Sequence, residues 1–344
     1  MRPKIFVTQP IADSAVARLR EFADVAVNPD PGRILTKTKL IKAVGRSDIL
    51  LALRHDRIDR DVLAANANLK AVATMAVTPD NIDLAEATMR KIPVTLVPAM
   101  ATEALADAAF ALLLSVARRI AEGDRLVRIG AFPGAQSGYL AGSSVNGKTL
   151  GLVGYGHVGR AMARRAHGFG MRIVYSDPQR VPEDDVRKYD ALSMDLDQLL
   201  GEADFVSLHC GLNAETHHLI GARQFALMKR EAYLVNVAHG PIIDEAALVR
   251  ALEEGRIAGA ALDVYEHEPK IAPALLGMDN VVLTPHLGSA VADLRERMAH
   301  IVVDNIHALL EGHRPPNCIN MEVFAPAETS AESVPAMADA EISR

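Results

Sequence analysis

The chain has 344 residues, 49% of them hydrophobic, and its 37 Lys and Arg against 43 Asp and Glu leave a formal charge of −6. This length suggests two domains with well-buried cores, and mixed charge without a long basic block argues against nucleic acid as the main partner. A small anionic substrate would have to meet local cations instead.

Two cysteines, Cys210 and Cys318, lack metal-ligand spacing. They fit structural roles in a reducing compartment, and no metal is expected. The opening MRPKIFVTQP runs directly into a strand, without the apolar core and cleavage site of a signal peptide. Ala104 to Ala117 is too short for a bilayer span and is followed at once by Arg118 and Arg119. A cytoplasmic protein with no membrane partner is the expectation.

In chain order, KIFVT, Ala12–Phe22, DVAVN, Thr36–Val44, DILLAL, LKAVAT and IPVTLV alternate short apolar runs with helical patterns, which is βαβ rhythm. Ala101–Arg119 follows as one long helix, apolar on most faces, suited to crossing between domains or packing at a subunit interface. From Leu150 the rhythm restarts with GLVGYG, RIVYSD, DFVSLHC, AYLVNVA, AGAALDVY and NVVLTP as strands. Ala290–Glu311 reads as another long helix, and RPPNCIN as a short return to the first domain. The fold class is α/β, with two doubly wound parallel-sheet domains, Rossmann-like or flavodoxin-like, and a cleft between them. Residues 1–101 plus 291–323 form a discontinuous substrate domain, 102–290 a dinucleotide domain, and 324–344, rich in Ala, Ser, Pro and Glu, a mobile tail.

Thr149 to Asp177 reads TLGLVGYGHVGRAMARRAHGFGMRIVYSD. Gly154, Gly156 and Gly159 follow an apolar run, so the turn can tighten, the backbone can approach a pyrophosphate, and the helix can pack on its sheet. Amides at the helix start would hold phosphates. Asp177, about twenty residues beyond, can accept from both ribose hydroxyls and would repel a 2′-phosphate, which favours NAD over NADP. The bland alternative is a tight turn with no ligand.

His286 stands at a strand end between Pro285 and a loop leading to Gly288. A switchable proton donor fits there, because hydride transfer to a ketone builds negative charge on oxygen that an imidazolium can neutralise. A histidine capping a loop is the other reading. The acidic turn Glu266-His267-Glu268-Pro269 reads on composition as solvated surface.

With VNVAHGPIIDEAAL (235–248), AGAALDVYEHEP (258–269) and NVVLTPHLGSA (280–290), the chain resembles the D-2-hydroxyacid dehydrogenase family, glyoxylate/hydroxypyruvate reductase-like or phosphoglycerate dehydrogenase-like, from about residue 3 to 320. The resemblance implies His286 as acid/base, Glu268 as the carboxylate that fixes its tautomer and stabilises the charged ring, and His239 at the position of a substrate-orienting arginine, with Glu266 and His267 left exposed. Histidine at 239 departs from the family, since it has two ring nitrogens in place of a five-donor fork. A tuned enzyme for a different substrate, a crippled or engineered variant, and a dinucleotide-binding relative with little turnover all stay open on this point.

By the same resemblance, His157 and Val158 meet the pyrophosphate, Cys210 and Gly211 line the adenosine side with Thr216 nearby, Val237, Ala238 and Gly288 approach the coenzyme, and Asp263 accepts from its carboxamide. A structural partner for Asp263, an acid on an apolar strand, is the alternative. Where relatives carry a glycine-rich loop that binds the substrate carboxylate, this chain has Met75-Ala76-Val77-Thr78-Pro79. Val77 and Thr78 could still donate, and their side chains should narrow the pocket. Arg54 is either a cation toward substrate or a surface residue.

The implied activity is hydride transfer between NAD(H) and a small D-2-hydroxy or 2-keto acid such as glyoxylate, hydroxypyruvate or pyruvate, in a homodimer joined through the dinucleotide domain by the helix after Ala101. An NAD(H)-binding regulatory protein is the alternative from another class. A dehydrogenase of another small anion such as phosphite is disfavoured, because relatives with that activity have lysine where Val77 stands.

Overall fold

The computed structural model describes residues 2–30 and 32–324. The tail expected at 324–344 therefore lies, past Phe324, outside the described residues. The chain divides into two compact units, one of Met1–Pro98 with the chain from Glu296 onward and one of Ala99–Arg295.

The first unit runs β1 (Lys4–Val7), α1 (Asp13–Phe22), β2 (Asp24–Val27), α2 (Lys37–Val44), β3 (Ile49–Ala52), α3 (Arg60–Ala64), β4 (Ala71–Thr74), α4 (Leu84–Met89) and β5 (Val94–Thr95). Its strands pair in parallel in the order β2-β1-β3-β4-β5. β3 and β4 are buried along their whole length. A parallel strand covered on both faces has no solvent side, hence the nearly unbroken apolar runs ILLA and AVAT. Cys318 bridges antiparallel to Thr95, and buried Asn320 accepts from Val94 N–H at 2.8 Å and donates to the Ile92 carbonyl at 2.9 Å. RPPNCIN thus extends the edge of this sheet.

The second unit runs α5 (Thr102–Ala117), α6 (Ile120–Arg128), β6 (Thr149–Val153), α7 (His157–Gly168), β7 (Arg172–Ser176), α8 (Glu183–Arg187), β8 (Leu192–Ser193), α9 (Leu196–Glu202), β9 (Phe205–Leu208), α10 (Ala222–Leu227), β10 (Tyr233–Asn236), α11 (Glu245–Glu253), β11 (Gly259–Leu262) and β12 (Val281–Leu283). The last helix, α12 (Ala292–Leu310), passes into the first unit at Glu296. The seven strands lie parallel in the order β12-β11-β10-β9-β6-β7-β8. Strand order reverses between β6 and β9, and the carboxyl ends of strands flanking such a switch point form a ligand crevice. One apolar cluster, including Leu199, Phe225 and Leu248, brings in α9, α10 and α11, and another, including Leu113, Phe110 and Met162, brings in α5 and α7. No helix among the described residues is long and apolar enough to cross a membrane.

Two local expectations change. The single helix over Ala101–Arg119 ends at Ala117, Arg119 takes a left-handed conformation (φ +53°), and the separate helix α6 follows. Left-handed backbone costs a non-glycine residue roughly 1–2 kcal/mol. Here the Arg119 guanidinium grips buried Glu122 through two bonds of 2.6 and 2.7 Å, which offsets that cost. Asp263 is not within a strand either, because β11 stops at Leu262 and leaves the carboxylate just beyond it.

Candidate active site

The glycine turn after β6 has a different physical reason for each glycine. Gly154 has φ +92°, and a Cβ there would come within 2.6 Å of the Cys210 amide nitrogen. A Cβ on Gly159 would strike the Gly154 carbonyl at 2.3 Å, so α7 needs hydrogen there to reach its strand. On Gly156 a Cβ would touch nothing within 4 Å, so the protein's own packing does not demand glycine at the helix start. A space left open beside helix-start amides suits a group from outside the chain.

Capping supports the same reading. α9 and α11 start with Asp195 and Asp244, whose carboxylates accept from Gln198 N–H at 2.8 Å and Ala247 N–H at 2.9 Å. Gly156 gives α7 no side-chain cap. The amides of its first turn are therefore available to an anion. Asp177, one residue past β7, accepts from Tyr155 N–H at 2.7 Å and Gln179 N–H at 2.8 Å, which ties it to the turn and leaves acceptor capacity for hydroxyls. These residues fit a dinucleotide: His157 and Val158 open the helix, and Asp177 keeps a carboxylate beside the turn.

Across the switch point, burial pushes the Cys210 thiol up to about 11, and the Asp177 charge adds to the shift. It is a packing group rather than a nucleophile. Gly211 has open space around a Cβ position, and the Thr216 hydroxyl donates to its carbonyl at 2.7 Å, so Thr216 holds its own loop. His209 was missed in the sequence. Its amide bonds Val153 at 2.7 Å, its Nε2 lies 2.9 Å from Ser207 Oγ, and burial pushes the ring down to about 4.

His286 follows β12 in a left-handed conformation (φ +56°), with its N–H donating to the Asp263 and Thr284 carbonyls, both at 3.0 Å. Its Nδ1 lies 3.0 Å from Glu268 Oε2, and Glu268 Oε1 accepts from Tyr265 N–H at 3.1 Å. The pair expected across eighteen residues is thus in contact. Asp263, buried, accepts from the Thr284 hydroxyl at 2.6 Å, Leu287 N–H at 2.7 Å and Gly288 N–H at 2.7 Å. It is the anchor of the loop bearing His286, which satisfies the acid from within the protein. A Cβ on Gly288 would meet Leu105 at 2.7 Å, so close packing accounts for that glycine.

Of the two residues expected to be exposed, His267 is so, but Glu266 is not. Its side chain is 14% exposed, 2.7 Å from His218 Nε2, and bonded to the start of α11. The sequence showed an acidic turn and could not show the helix end that draws one acid inward.

His239 lies just past β10, and its carbonyl accepts from Asn236 Nδ2 at 2.9 Å. Asn236 Oδ1 also accepts from Ala238 N–H at 3.0 Å, so one buried amide shapes the turn from Val237 to His239. Gly240 must be glycine, because a Cβ would lie 1.8 Å from the Tyr265 carbonyl. The lone polar residue in AYLVNVA was the available signal for Asn236.

In the first unit, Val77 is 40% exposed, the Thr78 hydroxyl donates to Asp80 at 2.7 Å, and Arg54 lies 3.8 Å from the same carboxylate. Asp80 therefore shares the Arg54 charge. The loops after β3 and β4 are clipped together by Asn81, whose Nδ2 donates to Leu53 and Asp56 carbonyls at 3.1 and 2.7 Å, while buried Asp56 ties the loop after β3 to the end of β1, accepting from Leu53 N–H at 2.8 Å and from the Thr8 hydroxyl. Asp56 did not stand out in the sequence.

Known proteins share this organisation. The pattern of the D-isomer specific 2-hydroxyacid dehydrogenase NAD binding domain matches residues 110–288. The glyoxylate reductase of Thermococcus litoralis is 43% identical over 328 residues, covering 94% of this chain and 98% of that protein, and that of Korarchaeum cryptofilum is 46% identical over 326 residues, covering 94% and 97%. The crystal structure of a glyoxylate reductase from Paecilomyes thermophila superposes with a TM-score of 0.78 at 30% identity, over 93% of this chain and 99% of that one. With the glycine turn, the acid after β7 and the imidazole–carboxylate pair all in segments that follow strands of one sheet, the chain belongs to the D-isomer specific 2-hydroxyacid dehydrogenase family and carries its NAD-binding domain.

Proposed function

We propose that this chain reduces glyoxylate or a similarly short 2-keto acid, with His286 as proton donor, Glu268 as its support and His239 as the residue that orients the substrate carboxylate. The observation that carries this reading is the 3.0 Å contact between His286 Nδ1 and Glu268 Oε2 at the carboxyl end of the sheet that bears the dinucleotide turn. When bound, NADH supplies the hydride to the keto carbon. Glu268 engages Nδ1, so the proton exchanged with the developing alkoxide is assigned to Nε2. In the oxidative direction the neutral ring takes that proton back while Glu268 stabilises the imidazolium that forms. Positioned acid catalysis of this kind contributes roughly 10²–10⁴-fold.

His239 offers ring nitrogens to the substrate carboxylate, and Val77, Thr78 and Arg54 are assigned as further substrate contacts. The side chains of Val77 and Thr78 favour short substrates. Asp177 supports NADH over NADPH, because a fixed carboxylate beside the turn repels a 2′-phosphate. Steady-state reduction of glyoxylate, hydroxypyruvate and pyruvate with NADH tests the reading, together with His286→Ala. Turnover that His286→Ala abolishes while NADH still binds supports it. NADH binding without turnover on any short keto acid would overturn it.

A homodimer joined through the dinucleotide domain fits the exposed Ile120, Val127, Ile129 and Phe132 on and after α6. α5 buries Ala106, Ala109 and Leu113, which moves the proposed contact toward α6. Light scattering of Ile129→Asp, expected to yield monomer, tests it. The free thiols of Cys210 and Cys318 suit a cytoplasmic setting.

A further inference from the structure

The segment Glu266–Ala272 carries Glu268, yet its neighbours His267, Pro269 and Lys270 are all exposed, so little packing of their own sets the path of the loop. The ends of the segment are held by one side chain. Glu245, buried at the first position of α11, accepts from Glu266 N–H through Oε2 at 3.0 Å and from Ala272 N–H through Oε1 at 2.7 Å. The grip is reciprocal, since Glu266 Oε2 accepts from Glu245 N–H at 3.0 Å.

Two carboxylates would repel if left to face each other. Here each is aimed at a backbone N–H of the other's residue, and His218 Nε2 stands 2.7 Å from Glu266 Oε1, with His267 Nε2 at 3.8 Å. Burial opposes ionisation of Glu266, but the Glu245 amide and His218 together hold its carboxyl below the usual range. Tyr265 completes the frame: its hydroxyl donates to the Thr284 carbonyl at 2.8 Å, and its N–H to Glu268 at 3.1 Å. The loop bearing Glu268 is therefore tied to α11 at both ends and to the His286 loop in the middle.

We infer that Glu245 is a positioning residue for the acid/base pair, stapling both ends of the loop so that Glu268 stays in register with His286. This inference rests on the proposed roles of those two residues. A plainer role, in which a first-turn acid merely complements the α11 dipole, needs charge at the helix start but not reach. Aspartate preserves the charge and is one methylene too short to span both amides.

The test is kinetic, with Glu245→Asp, Glu245→Ala and Glu245→Gln assayed for keto-acid reduction well below their melting temperatures. Aspartate and alanine are expected to lower kcat about tenfold or more while KM for NADH stays within about twofold. Glutamine, which keeps one carbonyl oxygen for one end of the loop, is expected to retain more activity than alanine. Wild-type kcat in Glu245→Asp, or a KM for NADH that deteriorates as much as kcat, would overturn the inference. Where Glu245→Ala fails to fold, Glu245→Asp alone decides. His286→Ala in the same series separates the two levels: if it is inactive while Glu245→Asp is unimpaired, only the positioning role falls. If His286→Ala still turns over, the acid/base assignment falls and the positioning role with it.

Discussion

Protonating His209 should loosen the dinucleotide turn from below. Its ring is held at about 4 against an ordinary 6.5, with burial as the cause, and its Nδ1 is a buried atom with no hydrogen-bond partner among the described residues. The unfolded chain takes up a proton near 6.5 and the folded chain only near 4, so folding excludes a proton throughout that interval. Stability is therefore complete above 6.5 and is lost as pH falls toward 4. At about 1.4 kcal/mol per pKa unit the full loss is about 3 kcal/mol, and by pH 5 about 2 kcal/mol has gone. The backbone of His209 also lies where a Cβ on Gly154 would be 2.7 Å away, so strain at the ring reaches the turn directly.

Urea unfolding followed by circular dichroism near pH 7 and near pH 5 reads this loss, with His209→Gln as the reference. Glutamine places an amide near the Nε2 position to keep the Ser207 contact and does not titrate. Between the two pH values the wild-type chain should lose about 2 kcal/mol more than the variant. Parallel losses, agreeing within about 0.5 kcal/mol, would refute the reasoning.

Gly240→Ala should destabilise by on the order of 4 kcal/mol or prevent folding, as read from the melting temperature, because its Cβ would sit 1.8 Å from the Tyr265 carbonyl. Asp263→Asn cannot accept from Thr284, Leu287 and Gly288 together, so kcat should fall about a hundredfold with NADH affinity little changed in a binding titration. Asp177→Ala removes the charge and the bond to Tyr155 N–H, and should raise the NADPH-to-NADH ratio of kcat/KM about tenfold or more. An unchanged ratio would take Asp177 out of cofactor choice. His239→Arg should raise kcat/KM on short keto acids about tenfold by restoring a charged fork, and equal or lower efficiency would show that histidine is matched to its substrate.

The parts legible in the sequence are those whose physical cause is local. Gly154, Gly156, Gly159 and Asp177 stand out because a tight turn, a close helix approach and a strand-end acid each demand a residue type at a set spacing. Buried parallel strands announce themselves as apolar runs for a similarly local reason. Asn236, a polar residue among apolar ones, and Asp56, one acid in a charged stretch, have no readable role until their partners are known. Glu266 was misjudged for the same reason, its partners being Glu245 and His218, 21 and 48 residues away.

Local pattern alone determined the α/β architecture, the dinucleotide turn and, through resemblance, the pairing of His286 with Glu268. Only the folded chain decided what holds that pair in place: Asp263 beneath the His286 loop, Glu245 across the Glu268 loop and Asn236 under His239. These are buried polar groups whose partners are brought in from distant elements, and whether burial is tolerated depends on donors that spacing along a chain does not encode.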